Sequence, residues 1–323
     1  MEFKAESKNL FMTDLKNKKI LITGASGVIG YNLVKKFKSI GNCEIHVNYL
    51  HEIDPNLIEL MEGVHHHHQF DICDLDKIKE LPEFDIIFHC SGYGQPQKFC
   101  ENPEKTFSLN TVSVVFLAEK VKKDGQFIFL STSEIYAEGD GNKEDSVISI
   151  NPNNGRNCYT LSKIFGEVFL SLNTRIKYKN IRLCLCYGEG FKSSDKRVLC
   201  EFIFKAINNK FIELMDDGSS IRSYIYINDC IEAILNIVEN GKDNLYNLGG
   251  KELITIADLA NTISKLTGCS VSLGKKENKI KNSPDKAYVD ISKYESEFGI
   301  LNKTSLESGI LGLINWYKNY KKI

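Results

Sequence analysis

The chain has almost no excess of charge of either sign. Its 41 Lys and Arg stand against 42 Asp and Glu, a formal net charge of −1 over 323 residues. That balance excludes a general electrostatic pull toward nucleic acid or an acidic membrane face, so an anionic ligand has to be held by a local site. Long apolar runs are also missing. No stretch is long enough to span a bilayer, and residues Met1 to Lys19 are polar and charged, without the apolar core of a signal peptide. A cytoplasmic protein is expected. The 10 cysteines include no CxxC pair and no Cys/His spacing of a zinc site, so they are expected as buried free thiols. Cys184 and Cys186 alternate on an expected strand and should share a face. Internal repeats and low-complexity linkers are absent too. What is present, 42% hydrophobic and 26% charged residues, is ordinary globular composition with chain enough for a large core.

One local run stands out, His65-His66-His67-His68. Imidazoles bind transition metals. The run, however, leads into Gln69-Phe70-Asp71-Ile72, which reads as a strand, and neighbours on a strand point to opposite faces. No carboxylate or cysteine cluster accompanies it in sequence, so no metal is expected.

Short apolar runs recur along the first half. Lys19 to Thr23, Glu44 to Leu50, a third ending at Phe70-Asp71-Ile72, Asp85 to Cys90, Gln126 to Ser131 and Asn180 to Cys186 read as strands, with helical stretches between several of them. The alternation predicts an α/β fold, a Rossmann-type doubly wound parallel sheet covered on both faces. After about Gly188 helices and short polar loops dominate. Thr255 and Asp229 are expected as helix caps, and Thr304-Ser305-Leu306-Glu307 as a capping box. The expected division is a cofactor domain over 1–187, to which 224–250 returns, and a smaller lobe over 188–323.

The first strand runs straight into Gly24-Ala25-Ser26-Gly27-Val28-Ile29-Gly30 and then a helix with Leu33, Val34 and Phe37 at helical spacing. Strand, glycine loop and helix N-terminus in that order suit a dinucleotide pyrophosphate, because glycines permit a tight turn and close approach of the backbone. Gly24, Ser26, Gly27, Val28, Ile29 and Gly30 are therefore expected at the cofactor. At the end of the second strand, where an acid commonly binds the adenine ribose, Asn48 stands instead. No Arg or Lys lies between Asn48 and Glu62 to hold a 2′-phosphate, which favours NAD over NADP. Asp71 and Ile72 should frame the adenine, and Cys90, Ser91 and Gly92 should add contacts where the fourth strand ends.

Tyr159 and Lys163 are four residues apart and would share a helix face. A nearby cation and a positive nicotinamide ring both lower a phenol's pKa, which fits Tyr159 for use as a base on a substrate hydroxyl. Ser131-Thr132-Ser133 ends an expected central strand, where ligands bind in open α/β sheets. With these residues the chain resembles the extended short-chain dehydrogenases, the family of nucleotide-sugar epimerases, dehydratases and UDP-glucuronate decarboxylases, over nearly its whole length. The resemblance implies that Thr132, Tyr159 and Lys163 are catalytic, that Asn110 lies by the cofactor, and that Arg222 and Arg197, with Ser133 and Thr132, meet the substrate. It implies a nucleotide-linked sugar as partner, a homodimer or homotetramer, and a place in surface-polysaccharide synthesis.

Thr132-Ser133-Glu134 with Ile135-Tyr136, and Arg156-Asn157-Cys158-Tyr159, are similar to the decarboxylases. Glu134 would serve as a base near C5, and the absence of an Asp at Ser133 argues against 4,6-dehydration. Leu185, Phe99 and the loop Ser91 to Pro96 depart from the family pattern. The expected activity is oxidation of C4 of an NDP-hexose or NDP-heptose. The alternatives are a UDP-glucuronate decarboxylase, a 4-epimerase and a non-catalytic dinucleotide sensor.

Overall fold

The computed structural model describes residues 15, 17–51, 61–139, 141–192, 195–278 and 284–321. Strands β1 (Lys19–Thr23), β2 (Glu44–Tyr49), β3 (His66–Gln69), β4 (Phe84–His89), β5 (Val121–Thr132) and β6 (Lys177–Leu183) build the main sheet. Three short strands follow, β7 (Leu185–Tyr187), β8 (Phe211–Glu213) and β9 (Ile221–Tyr226). The last four are β10 (Leu245–Leu248), β11 (Leu253–Thr255), β12 (Ser270–Ser272) and β13 (Lys286–Ala287). The main sheet has seven parallel strands in the order β10-β6-β5-β4-β1-β2-β3.

Helices cover both faces, which is why the central strands are apolar on both sides. Leu21, Ile87 and Phe127 face one cluster with Val114 and Leu117. Ile20, Ile22 and Phe88 face the other with Leu33 and Phe37. The chain runs outward from β1 to β3 and then returns to the other side of β1 as β4. That reversal opens a crevice at the carboxyl ends of β1 and β4, the usual ligand position in such sheets. Two smaller sheets, β11-β9-β13 with β7 alongside β9 and β12-β8, lie outside the main one.

Several expectations need correction. The third strand is the histidine run itself and stops at Gln69. Asp71 and Ile72 follow it in a turn, because Asp71 Oδ1 accepts from Cys73 N at 2.9 Å and its carbonyl accepts from Asp74 N at 2.7 Å. The expected strand Asn180 to Cys186 is two strands: Cys184 N donates to Leu248 O at 2.7 Å, and the chain then leaves the main sheet for β9. Asp229 does not cap a helix. It sits in the first turn of Ile227–Asn240, and its carboxylate takes Lys303 N (3.1 Å) and Thr304 N (2.9 Å). The cap of the last helix is Ser305, whose Oγ accepts from Ser308 N at 3.2 Å. Thr255 caps Ile256–Thr267 as expected, accepting from Asp258 N at 3.0 Å. All 10 cysteines are free; six are buried and Cys100 is exposed. No described helix is long and apolar enough to cross a membrane.

Candidate active site

The glycine loop is locked by its neighbours. Gly24 has φ +63°, and a Cβ there would lie 2.8 Å from Ser91 N. A Cβ on Gly30 would lie 2.5 Å from Gly24 O. Larger residues cannot fit at either place. Thr23 Oγ1 accepts from Cys90 N (3.1 Å) and Ser91 N (3.3 Å) and bonds His89 Nδ1 at 2.9 Å, while His89 Nε2 meets Leu109 O at 2.8 Å. This buried knot fixes the ends of β1 and β4 together.

A cleft of about 320 Å³ opens above it. Gly24, Ser26, Gly27 and Val28 line one wall, Asn48, Asp71 and Ile72 the next, and Cys90, Ser91, Gly92 and Arg197 the third. Ile29 and Gly30 lie in the first turn of the Val28–Ile40 helix and are not part of the lining. Asn48 Nδ2 is committed to His68 O (3.1 Å) and Phe70 O (3.0 Å), so Asn48 meets a ribose hydroxyl only as an acceptor. Lys98, Lys105 and Phe191 also line the cleft, and sequence reading missed them because no local pattern marks them. Lys105 forms an ion pair with Asp71.

The expected catalytic residues meet at the end of β5. Thr132 is its last residue, and its Oγ1 accepts from Glu134 N at 3.2 Å. Tyr159 is in the first turn of the helix Asn157–Ser171, and its phenol lies within the electrostatic reach of the Thr132 side chain. The Tyr159 ring stacks on Phe99 at 4.6 Å, so Phe99 is a packing partner of the phenol. Lys163, one turn on, donates to Leu130 O at 2.6 Å and stands over the Tyr159 ring, 5.8 Å from its centroid. Gly92 approaches both Lys163 and Asn110: a Cβ on it would be 3.8 Å from Lys163 Nζ and from Asn110 Oδ1. Asn110 Nδ2 is bonded to Thr106 O and Ser162 Oγ, but its Oδ1 is buried without a partner. An orphaned buried acceptor and a glycine cradle fit a dinucleotide and its bound water.

The electrostatics differ from expectation. Burial pushes the Tyr159 phenol up to about 12, against the opposing pull of Thr132, Arg197 and Arg156. Burial also brings Lys163 down to about 7. The lysine contacts the ring face and a carbonyl, not the phenol oxygen, so the protein alone does not lower the phenol's pKa.

Glu134 and Arg156 pair side-on, Nε to Oε2 at 2.9 Å and NH2 to Oε1 at 2.6 Å. Arg222 feels both of them and Tyr224 electrostatically, and Ser133 lies beside Cys184. Thr132, Ser133, Glu134, Asn110, Tyr159, Lys163 and Arg222 all lie outside the lining of the main cleft. Arg197 is part of it, with its guanidinium on Asp195 (2.6 Å) and 4.5 Å from the Phe191 ring centroid.

Residues 20–249, from β1 to just beyond β10, match the family described as NAD dependent epimerase/dehydratase. The chain belongs to this family. It is an NAD-dependent enzyme, as the glycine loop and the Thr132-Tyr159-Lys163 group predict. Among relatives of this family, UDP-glucuronic acid decarboxylase 1 of Arabidopsis thaliana is 27% identical over 312 residues, covering 94% of this chain and 71% of that protein. The fold is similar to UDP-glucose 4-epimerase from Thermotoga maritima, with TM-score 0.82, 22% identity and coverage of 93% of this chain and 99% of that one. It is also similar to UDP-glucuronic acid 4-epimerase from Bacillus cereus, solved with UDP-glucuronic acid and NAD (TM-score 0.78, 23% identity, 93% and 99% covered).

Proposed function

We propose that the enzyme oxidises the C4 hydroxyl of a nucleotide-linked hexose or heptose to a 4-keto sugar. The observation that carries this reading is the gathering of Thr132, Tyr159 and Lys163 at the end of β5, with Lys163 bonded to Leu130 O and standing over the Tyr159 ring. Bound NAD supplies the hydride acceptor and a positive charge beside the phenol. With NAD bound, Thr132 would hold the substrate oxygen and Tyr159, as the phenolate, would take the hydroxyl proton while the C4 hydrogen leaves as hydride to the cofactor. The phenol, held at about 12 by the protein, needs the added charge of the oxidised cofactor to act as a base near neutral pH. Gly24, Gly27 and the helix N-terminus receive the pyrophosphate. Asn48, Asp71 and Ile72 receive the adenosine, and Arg197 the diphosphate of the sugar nucleotide.

Ser133 lies against Cys184, and no carboxylic acid stands there to protonate a C6 hydroxyl as it leaves, so 4,6-dehydration is not part of the proposal. A second reading is favoured by one observation. Arg156 and Arg222 both lie by Glu134, a cationic setting that suits a sugar carboxylate, and the Arabidopsis relative is named as a UDP-glucuronic acid decarboxylase. On that reading C4 oxidation is followed by loss of CO2.

The test is to incubate enzyme, NAD and a panel of nucleotide sugars and weigh the products. Loss of two hydrogens with NADH accumulating supports the dehydrogenase, and loss of CO2 the decarboxylase. An isomeric product without net NADH makes it an epimerase, and loss of water overturns the proposal. Tyr159→Phe should lower turnover by about 10²–10⁴-fold with NAD binding retained.

For assembly, we propose a homo-oligomer, a dimer or tetramer. Phe107, Leu161, Phe165 and Val168 are exposed along Pro103–Asn110 and Asn157–Ser171, with Leu172 just past the end of the second helix, an apolar face that a second copy would cover. A monomer by light scattering would refute this.

A further inference from the structure

The outer edge of the main sheet carries a cluster for which the proposed reaction has no use. Glu44 and His46 are two apart on β2 and share a face. His66 on β3 is the cross-strand partner of His46, and His68 lies two residues beyond it on the same strand. The His46 ring stacks on His66 with centroids 4.2 Å apart and on His68 at 5.2 Å. Glu44 Oε1 lies 2.9 Å from His46 Nε2 and 3.3 Å from His66 Nε2. One ligand atom from each of Glu44, His46 and His66 falls within 4.8 Å of the others. The second ring nitrogen of His46, Nδ1, is 2.9 Å from His68 Nε2.

We propose that Glu44, His46 and His66 form a binding site for a divalent first-row transition metal, with Zn²⁺ the ion to test first. Two imidazole nitrogens and one carboxylate oxygen are a donor set that such ions take, with the remaining positions filled by water. His68 holds the outer nitrogen of His46 and so orients the ring, as partners of metal-bound histidines commonly do. Phe84 closes the inner side, packed edge-on against His46 at 5.0 Å. The outer side is open: His66 keeps 52% of its side-chain exposure.

The position gives the site a structural use. It joins β2 to the edge strand β3 at the opposite end of these strands from the cleft. β3 runs directly into Phe70, Asp71 and Ile72, which line the cleft. A metal here would clip the strand that carries that wall. One group works against it: Lys19 Nζ is 3.2 Å from Glu44 Oε1 and competes for the same oxygen.

The experiment uses the full chain, stripped with a chelator and titrated with Zn²⁺ against a chromophoric competitor. One ion per chain is expected. Removing an orienting partner typically costs about 10–100-fold in metal affinity, and His66→Ala or Glu44→Gln should cost at least that. Lys19→Met should tighten binding, because it removes a competing cation. The double variant His65→Ala/His67→Ala should bind as the parent does, since these rings are engaged elsewhere, His65 with Ile45 N and His67 with the Tyr49 hydroxyl. Both single variants alter side chains that reach solvent, and circular dichroism checks their folding. Failure to bind Zn²⁺ at micromolar concentration would overturn the proposal. Unchanged affinity in His66→Ala and Glu44→Gln would do the same. So would loss of binding in the His65/His67 variant, which would mark adventitious capture by the histidine run.

Discussion

Two Arg–Glu pairs flank the helix Asn157–Ser171 and are built from the same parts. Near its end, Glu167 receives Arg182 through Nε (3.1 Å) and NH2 (2.7 Å). Just before its start, Arg156 grips Glu134 through Nε and NH2 at 2.9 and 2.6 Å. The surroundings separate them. The Arg182 pair is buried at 6% and 8% side-chain exposure, and the Arg156 pair keeps 20% and 22%. Arg182 NH1 also bonds the Tyr136 hydroxyl (2.8 Å), which donates to Asn247 Oδ1 (2.9 Å), and Ser131 Oγ donates to Glu167. The first pair therefore ties β5, β6 and β10 into one saturated network. The second faces the end of β5, where Thr132 and Tyr159 meet. One pairing geometry is thus a fixed brace where all three guanidinium nitrogens are engaged and the pair is buried, and an exchangeable contact where it is partly exposed.

The largest expected effect is on the brace. Glu167→Gln would leave the Arg182 charge buried without its partner, which typically costs about 3–5 kcal/mol. Urea melts should show that loss. A change under about 1 kcal/mol would erase the distinction between the pairs.

Glu134→Gln should do the reverse. Stability should fall by less than about 1 kcal/mol, as for a partly exposed pair. On the decarboxylase reading turnover should fall by about 10²-fold, with NAD affinity unchanged, because Glu134 positions the Arg156 guanidinium that meets the sugar carboxylate. A melt that drops as far as that of Glu167→Gln would place Glu134 among the braces.

How far each pair was legible beforehand follows from chain distance. The glycine loop reads directly because strand, turn and helix are contiguous, and Tyr159 and Lys163 read because four residues make a helix turn. Glu134 and Arg156 were both noticed, as parts of separate motifs, but their pairing spans 22 residues and depends on how the segment between them folds back. The Glu167–Arg182 brace went unseen, since a charged residue inside a helix is most often solvated. The carboxylate beside the histidine run is hidden in sequence for the same kind of reason, since parallel register sets His66 beside His46 and Glu44, which stand on a strand about twenty residues upstream. The third strand was misplaced because four histidines carry no apolar alternation, and an edge strand does not need one. The state of Lys163 was unreadable as well, because its contact with Leu130 O comes from tertiary packing.

Lys163 offers a test of cost rather than of bracing. Its folded pKa of about 7 lies below the ordinary 10.5, so between those values the unfolded chain binds more protons. Stability of the NAD-free protein should therefore rise with pH across that window. Lys163→Met removes the buried charge. It should stabilise the NAD-free protein at pH 6 by on the order of 2 kcal/mol, a gain that fades toward pH 10, while turnover is lost. Melting curves at the two pH values check this, and an equal gain at both would remove the ionic cause.

The smallest expected effect concerns the member that the exchangeable pair has and the brace lacks. Arg222 lies within electrostatic reach of Glu134 and Arg156, and its NH1 is held by the Ile221 carbonyl at 2.8 Å. Burial presses its pKa down from the ordinary value, yet a guanidinium stays charged at any working pH. Two cations beside the one carboxylate of Glu134 leave an excess of positive charge there, which an anionic group of the substrate would balance. Arg222→Ala should then weaken nucleotide-sugar binding by roughly tenfold, the effect of losing one charge-assisted contact. Because Arg222 stands with Glu134 rather than in the main cleft, the loss should be larger for the complete nucleotide sugar than for the bare nucleoside diphosphate. Calorimetry with both ligands separates the cases. Equal loss for the two would move Arg222 to the diphosphate, and no loss for either would leave it a structural arginine bound to Ile221 and Asp285 carbonyls, a second brace after all.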